Sequence, residues 1–405
     1  MRISVRRGEL AMKRPLFLIP LAALLIASPI ACRRHSPMDA SKFNVEVIDG
    51  VRTIHNHAAQ VEDASAVRLD FVGKIGELKN AEEKNLLYDP VDAARLSNGD
   101  ILVLERNGCS VKRFNRDHEF VSSFGRKGQG PGDFQFPFSL RLNPSKNRLY
   151  VADYKISSFL LNGKYEGGFK PQKISGGMGG GSINELYRTS GLAVLSGSRV
   201  ILPSPTSMGT DSGEHKLLSV YDEKGAPIRS FGAVKRFDAP ELTLNANVAY
   251  FTCDEDDNVY VAYAFQNRID KYSPDGKTIF SADRPLPYPV RIEMKTIVMK
   301  SGALEREFPW PSVTSVTKGI YIGPKNRVWV LTLLRQPNKF GGFDDEKDFS
   351  RCYEFEVFDA QGVFLFKVPI PNVGFDNVSL SDDRIFFIDS RTEACVYEYR
   401  IAEKP

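Results

Sequence analysis

The chain repeats one short pattern of polar and hydrophobic positions six times. Each copy has two polar turn residues followed by three consecutive hydrophobic residues. The copies are residues 99–103, 147–151, 198–202, 257–261, 326–330 and 383–387, and their last residues lie 48, 51, 59, 69 and 57 positions apart. Consecutive hydrophobic positions are typical of a strand that is covered on both faces. The repeat therefore predicts six similar β units.

Each hydrophobic run lies inside a larger unit of β-type segments. Another run precedes it, as in residues 93–96, and an alternating run follows it, as in residues 111–114. Alternation indicates a strand with one buried and one solvated face. A fourth run completes most units, and four of the third runs end in a Gly turn, at Gly163, Gly225, Gly276 and Gly362. Four antiparallel strands per unit predict an all-β fold, a six-bladed β-propeller.

The two ends of the repeat array complement each other. The sixth unit reaches its third strand at residues 396–400 and has no fourth strand, whereas residues 67–72 form an isolated strand before the first unit. A strand left unpaired at a sheet edge invites aggregation. We therefore expect residues 67–72 to complete the sixth blade and close the ring, so that the propeller spans residues 65–405.

These features resemble the NHL-type six-bladed β-propellers, in particular the secreted or lipidated members from bacteria. The resemblance covers residues 67–401. A Gly-rich segment that leads into a blade, residues 124–134, carries it most specifically, and residues 149–153 and 267–269 also match. Units three and five depart from the pattern through long insertions. The resemblance implies a fold that also hosts lyases and lactonases, so the fold alone does not choose the function.

A shorter β signal lies upstream of the blades. Residues 45–48 and 51–54 are β-type runs that flank Asp49 and Gly50, and this dipeptide is a strong signal for a two-residue hairpin turn. An isolated two-stranded hairpin is marginally stable in water. We therefore expect this hairpin to pack against the propeller.

The N-terminal residues predict an export signal. A basic segment, residues 1–14, precedes an apolar run at residues 16–27. This run is shorter than a membrane-spanning helix requires, and its position behind basic residues is typical of a signal peptide. We expect residues 1–31 to be that signal peptide, with translation starting at Met1 or at Met12.

A lipid attachment site follows the apolar run. Residues 28–32 resemble a bacterial lipobox in which Cys32 takes the lipid, although Pro29 stands where Leu is usual. Residues 32–64 are then a lipid-anchored tether that includes the hairpin. The expected location is the bacterial cell envelope, in the periplasm or at the outer membrane. If Cys32 is instead the end of an ordinary signal, the protein is secreted.

Charge and composition exclude several classes of protein. Of the 54 basic and 50 acidic residues, five basic and one acidic lie within the first 31 positions, which leaves 49 of each. A neutral body argues against a nucleic-acid partner. Five His and five Cys argue against a His-rich metalloenzyme and a disulfide scaffold. Four cysteines are expected to be buried free thiols, with a disulfide as the alternative: Cys109, Cys253, Cys352 and Cys395.

No sequence motif for catalysis or metal binding stands out. Residues 254–258 have the acidic spacing of a calcium loop, but Val259 and Phe265 stand where that loop needs Gly and Glu. The Gly-rich residues 128–132 and 176–181 are not followed by the helix that a phosphate loop needs. The chain also lacks a Gly-x-Ser-x-Gly sequence around a nucleophilic Ser. We therefore expect no catalytic residue, no metal site and no cofactor.

Long insertions predict which face of the propeller binds a ligand. Connections from strand two to three and from strand four to the next strand one share one face, and they contain residues 170–189, 203–216, 282–316 and 333–350. Long loops tend to carry function, and neutral drift is the alternative. Six charged residues are expected on this long-loop face as ligand contacts or, alternatively, as links between blades: Glu105, Arg126, Lys127, Asp153, Arg268 and Asp389.

The sequence favours a monomeric, non-catalytic binding or scaffold module outside the cytoplasm. Its partner would be a protein, peptide or glycan on the long-loop face, and it would touch the membrane only through its lipid. The alternative is a metal-assisted lyase or lactonase in the central channel. Three or more converging His, Glu, Asp or Asn side chains with metal-like spacing would favour the enzyme.

Overall fold

Six four-stranded antiparallel blades form a closed ring. The structure is a computed structural model and describes residues 38–61, 67–76, 82–171, 191–204, 215–301, 304–338 and 349–403. The strand order within each blade's own four strands follows the predicted units. The first strand of each blade contacts the first strand of the next, from blade one round to blade six and back to blade one. The predicted six-bladed β-propeller is therefore confirmed.

Blades one to three take their strands consecutively from the chain. Blade one consists of Pro90–Arg95, Ile101–Glu105, Ser110–Phe114 and Phe120–Phe124. Blade two consists of Ser139–Asn143, Arg148–Ala152, Ile156–Leu160 and Tyr165–Phe169. Blade three consists of Ala193–Val194, Val200–Pro203, Lys216–Tyr221 and Pro227–Ala233.

Blades four and five also take their four strands consecutively from the chain, whereas blade six takes its fourth strand from the N-terminal part of the chain. Blade four consists of Ala249–Cys253, Val259–Tyr263, Ile269–Tyr272 and Thr278–Asp283. Blade five consists of Thr317–Gly323, Arg327–Leu333, Tyr353–Phe358 and Phe364–Pro369. Blade six consists of Asn377–Ser381, Arg384–Asp389, Cys395–Glu403 and the N-terminal strand Val67–Ile75.

The closing strand, Val67–Ile75, pairs antiparallel with the third strand of blade six. Val67 lies opposite Glu403, and Ile75 lies opposite Val396. Asp70 also accepts a 3.2 Å hydrogen bond from Arg400 Nη2. The predicted ring closure is confirmed, and the strand is longer than the sequence pattern indicated.

The hydrophobic core lies between the blades. Within the described residues there are six buried clusters, one for each pair of adjacent blades. In the second strand of blade one, Ile101 and Val103 pack towards blade six, whereas Leu102 and Leu104 pack towards blade two. A second strand therefore buries both faces, which explains why its hydrophobic positions are consecutive rather than alternating.

The N-terminal hairpin extends blade four. Its strands Phe43–Ile48 and Val51–Asn56 pair antiparallel around Asp49 and Gly50, which both have positive φ, as a type I′ turn requires. The second hairpin strand then pairs in parallel with the fourth strand of blade four. The expectation that the hairpin packs against the propeller is confirmed, and Asp39–Pro405 form one compact unit.

A second hairpin, named the arm, occupies the long connection between blades four and five. Its strands Ile292–Ser301 and Leu304–Val313 pair only with each other within the described residues. One α-helix, Pro240–Ala246, lies in the connection between blades three and four and contacts the arm. Short 3-10 helices are Ala40–Lys42, Glu83–Asn85, Pro144–Lys146, Pro324–Asn326 and Phe349–Arg351.

Several predicted features lie outside the described residues. These are the signal peptide, Cys32, the Gly-rich residues 176–181, and most of the long connections at residues 170–189, 203–216 and 333–350. Across the described ranges, no helix has the length and apolar character that crossing a bilayer requires.

His55 links the N-terminal hairpin to blade four. Its Nδ1 lies 2.6 Å from Asp283 Oδ2, and its Nε2 lies 2.7 Å from Glu46 Oε1. The hydrogen bond with Asp283 raises the pKa of His55; burial opposes this effect, and Glu46 adds to it. A raised His pKa stabilises the folded state fully below the unfolded value of about 6.5, and this stabilisation is lost as pH rises through the folded pKa.

We expect the hairpin to dock less tightly as the pH rises above about 6.5. Amides of Val51–Asn56 should then open more readily at about pH 8.5 than at about pH 6, by less than about 1 kcal/mol because the carboxylates are partly exposed. Hydrogen exchange, corrected for intrinsic rates, measures this opening. His55→Gln should remove the difference, whereas His57→Gln, which alters a contact with Asn44, should retain it. An unchanged pH dependence in His55→Gln would contradict this assignment.

Candidate functional site

A polar cavity of about 340 Å³ opens at the centre of the ring. It is surrounded by residues of the first strand of five blades and by a residue two positions before the first strand of blade three: Asp92, Arg141, Gly191, Tyr250, Lys318 and Asn377. Arg106 and Arg391, which follow second strands, also line it. It therefore lies where first strands begin and second strands end, which is the long-loop face. We name it the axial cavity; its volume falls within the range of small-molecule sites.

Asp92 is the buried centre of a hydrogen-bond network that joins three blades. It accepts hydrogen bonds from Arg141 Nη1 at 2.7 Å, from the Leu140 backbone N–H at 2.8 Å and from the Ser379 hydroxyl. Its own neighbour, the Ala93 N–H, donates at 3.0 Å. Both carboxylate oxygens are therefore engaged, and the Arg141 guanidinium is fixed at the wall of the cavity.

Two more carboxylates at the mouth of the cavity have cationic partners. Asp376 forms an ion pair with Arg391, whose Nε lies 2.9 Å from Asp376 Oδ1, and accepts a hydrogen bond from the Ser390 hydroxyl at 2.7 Å. Asp89 lies 3.6 Å from Arg106 Nη1. Burial raises the pKa of Asp89, the Arg106 guanidinium opposes this effect, and the Asp376 carboxylate adds to it. The mouth therefore combines charges of both signs in close pairs.

Lys318 reaches the cavity from a β-bulge. Thr317 lies opposite Thr332 and Gly319 lies opposite Leu331, so Lys318 has no partner in the neighbouring strand. Bulges redirect side chains and are common beside functional sites. The side chain is exposed and lines the cavity, and in the described ranges it forms no ion pair.

Tyr321 places a phenol beside Lys318. A Cβ added to Gly319 would lie 2.2 Å from the Tyr321 hydroxyl oxygen, so only Gly leaves room for this ring. Burial raises the pKa of Tyr321, and nearby Tyr250 adds to the effect. The Tyr321 hydroxyl therefore keeps its proton and can donate a hydrogen bond.

Three of the six sequence candidates are buried carboxylates that hold turns together. Glu105 accepts hydrogen bonds from the Tyr88 N–H, at 2.8 Å, and from the Ser110 hydroxyl, at 2.5 Å. Asp153 accepts from two backbone amides of the segment that leads into blade two. Asp389 accepts from three amides of the turn that follows it. These contacts are structural, but each lies within one blade or the segment that leads into it, so they are not the links between blades that the sequence offered as the alternative.

The three basic candidates also have partners outside the axial cavity. Arg126 Nε lies 2.9 Å from Asp133, and Arg268 Nε lies 2.8 Å from Asp270. The backbone of Lys127 bridges Phe134. In the described part of the chain, none of the six candidates lines the axial cavity. Their role as ligand contacts remains a prediction.

The four cysteines within the described residues are free thiols. Cys109, Cys352 and Cys395 are buried, as expected, whereas Cys253 is partly exposed. Burial raises the pKa of Cys253 to about 12 and that of Cys395 to about 11. These two thiols therefore remain protonated and unreactive near neutral pH.

The converging metal ligands that would favour the lyase or lactonase alternative are not found in the described ranges. No group of three or more His, Cys, Asp or Glu side chains there has the arrangement of a metal site. Residues 254–258, which have calcium-like spacing, form a turn in which Asp254 accepts hydrogen bonds from the N–H groups of Asp256 and Asn258.

The sequence interpretation missed the residues that line the axial cavity. A usable signal was present, because Arg141 stands between Leu140 and Leu142 in a strand that is otherwise apolar. Asp92 is likewise a charged residue between apolar ones, since it stands between Val91 and Ala93. A charged side chain inside an inner strand indicates either a buried network or a wall of the channel, and these residues form both.

Comparison with known proteins identifies the fold. No family model and no curated protein matches the chain. A protein from Bacteroides fragilis whose name describes it as exported is similar in structure, with a TM-score of 0.51 at 12% identity over 86% of this chain and 99% of that one. A member of the DUF4221 family from Bacteroides vulgatus gives a TM-score of 0.51 at 10% identity over 84% and 99%. At these identities the likeness shows the fold alone.

Proposed function

We propose that the protein is a binding module whose ligand enters the axial cavity on the long-loop face. The observation that carries this proposal is the cavity itself, which is polar, is of ligand size and has walls from all six blades. Closely packed clusters between the blades hold those walls in place. Such preorganisation reduces the ordering cost of binding. The partner is a peptide or glycan segment whose end fits the cavity.

We also propose that this NHL-type module acts outside the cytoplasm, anchored through Cys32. The basic and apolar segments before Cys32 support export, and so does the name of the similar Bacteroides fragilis protein. Acyl chains on Cys32 would hold the module at a membrane. Cys32→Ser should then move the protein from the membrane fraction to the soluble fraction. Unchanged partitioning into detergent would contradict the lipid anchor.

Filling the cavity tests the binding proposal. Lys318→Trp adds a large ring at an exposed, bulged position, so it should occlude the cavity and leave the blade cores intact. Wild-type protein is screened on arrays of glycans and peptides, and every hit is then measured with the variant in solution. We expect Lys318→Trp to weaken binding by at least about tenfold.

Lys277→Trp is the matched control for this experiment. Lys277 is highly exposed and lies in the turn between strands three and four of blade four, on the face opposite the long loops. This variant should bind as the wild type does. Equal binding by wild type and Lys318→Trp would overturn the assignment of the axial cavity.

A further inference from the structure

We propose that the axial cavity recognises one carboxylate, carried by an acidic sugar residue, and that Lys318 binds it. This inference rests on the proposed function, because it names the ligand class for the same cavity. Three observations carry it: the pairing of charges around the cavity, a second basic side chain on its wall, and the kinds of side chain that it exposes.

Among the described residues, the charges around the cavity leave one cation without a carboxylate partner. Asp92 is paired with Arg141, Asp376 with Arg391 and Asp89 with Arg106. Lys318 is the remaining charged residue of the lining. A site with one positive charge in excess favours a ligand with one negative charge, because complementary charges attract and orient the two partners.

The bulge at Lys318 makes this charge available to a ligand. In a regular strand, residue 318 would lie opposite a residue of the second strand of blade five. Because of the bulge, no residue of that strand lies opposite Lys318. The side chain is exposed at the cavity, and within the described residues it forms no ion pair, so its ammonium group can approach a ligand oxygen. Lys318 is therefore suited to bind a ligand.

Arg106 places a second basic side chain on the wall of the cavity. Its Nε–H is buried and has no acceptor within the described residues. Its guanidinium is held by Asp89 and by the Phe136 ring, whose centre lies 5.1 Å away. The Nε–H itself is not accessible from the cavity, but the Arg106 side chain is 31% exposed. The exposed part of this cationic side chain adds to the attraction of the cavity for an anionic ligand.

The exposed parts of the lining favour a sugar over a peptide end. The apolar lining residues are at least nine-tenths buried in the blade cores and offer little surface: Pro90, Val91, Phe138, Ile320 and Val378. The more accessible groups are hydroxyls, an amide and aromatic rings: Tyr250, Tyr321, Asn377 and Ser390. Such groups hydrogen-bond to sugar hydroxyls and pack on sugar rings, whereas the apolar side chains of a peptide would find little apolar surface in this cavity.

Calorimetry with small sugar acids tests the inference. D-glucuronate and D-galacturonate are compared with D-glucose and D-galactose, using the full-length mature protein. We expect the acids to bind about tenfold more tightly than the neutral sugars and to lose affinity as salt is raised. Lys318→Met should remove most of this preference, Lys318→Arg should retain it, and Lys277→Met should behave as the wild type.

The outcomes separate this inference from the proposed function. Equal binding of acidic and neutral sugars, or an unchanged preference in Lys318→Met, would overturn the role of Lys318, even if Lys318→Trp still blocks binding. If both uronates fail to bind while peptides bind through a free terminal carboxylate, the sugar assignment is overturned, but the role of Lys318 is not. If Lys318→Trp also leaves every array hit unaffected, the axial cavity is not the ligand site and both proposals fail.

Discussion

Replacing the closing strand, residues 67–75, with a Gly-Ser segment of equal length is expected to abolish folded, soluble protein. Val67 and Ile75 are almost fully buried, and they belong to the clusters on opposite sides of blade six. The third strand of blade six would also lose its hydrogen-bond partner and become an exposed sheet edge, which promotes aggregation. The soluble fraction after expression and cooperative unfolding in urea measure the result.

A rescue variant provides the control for this loss. Because Val67 lies opposite Glu403, the same nine residues attached after Glu403 through a short turn could fold back onto the third strand. This variant, which keeps the Gly-Ser replacement, should regain solubility and cooperative unfolding. The role of ring closure is contradicted if the Gly-Ser variant alone remains soluble and as stable as the wild type.

Arg284→Met is expected to destabilise the protein by about 3–5 kcal/mol. The Arg284 side chain is fully buried and forms an ion pair with Glu356. Arg284 follows blade four, whereas Glu356 belongs to blade five, so the pair joins two blades. Removal of the guanidinium leaves a buried carboxylate without its cation, which costs more than the pair contributes. Urea unfolding measures the change in the free energy of unfolding.

Two further variants identify the cause of this effect. Arg284→Met combined with Glu356→Gln removes the stranded charge and should recover much of the lost stability. Lys295→Met breaks an exposed pair with Glu293 and should cost less than about 1 kcal/mol. A cost of that small size for Arg284→Met would show that the buried pair does not couple the blades.

The fold was readable from the sequence because its determinants are local and repeated. Each second strand is apolar at consecutive positions, since blades cover both of its faces, and this pattern recurs six times. The closing strand followed from counting strands at the two ends of the array. The arm was interpreted as a long connection, although Ile292, Met294 and Val298 alternate with other residues as a strand requires.

The candidate site was less readable because it depends on how the blades converge. The sequence identified the ends of second strands through Glu105 and Asp389, but these carboxylates cap turns. Two of the residues that line the axial cavity, Arg106 and Arg391, lie one and two positions after these carboxylates in the chain. The bulge that exposes Lys318 depends on pairing with a strand about ten residues away, which no local pattern of residues specifies.

The origin of the closing strand determines the order in which the protein can fold. Asp70 and Arg400, which join the two strands of blade six, are 330 residues apart in the chain. The four main strands of blades one to five are consecutive in the chain, so those blades can form while later residues are still being synthesised. Contacts between distant residues form slowly. Blade six is therefore completed last, and until then the chain remains an open arc.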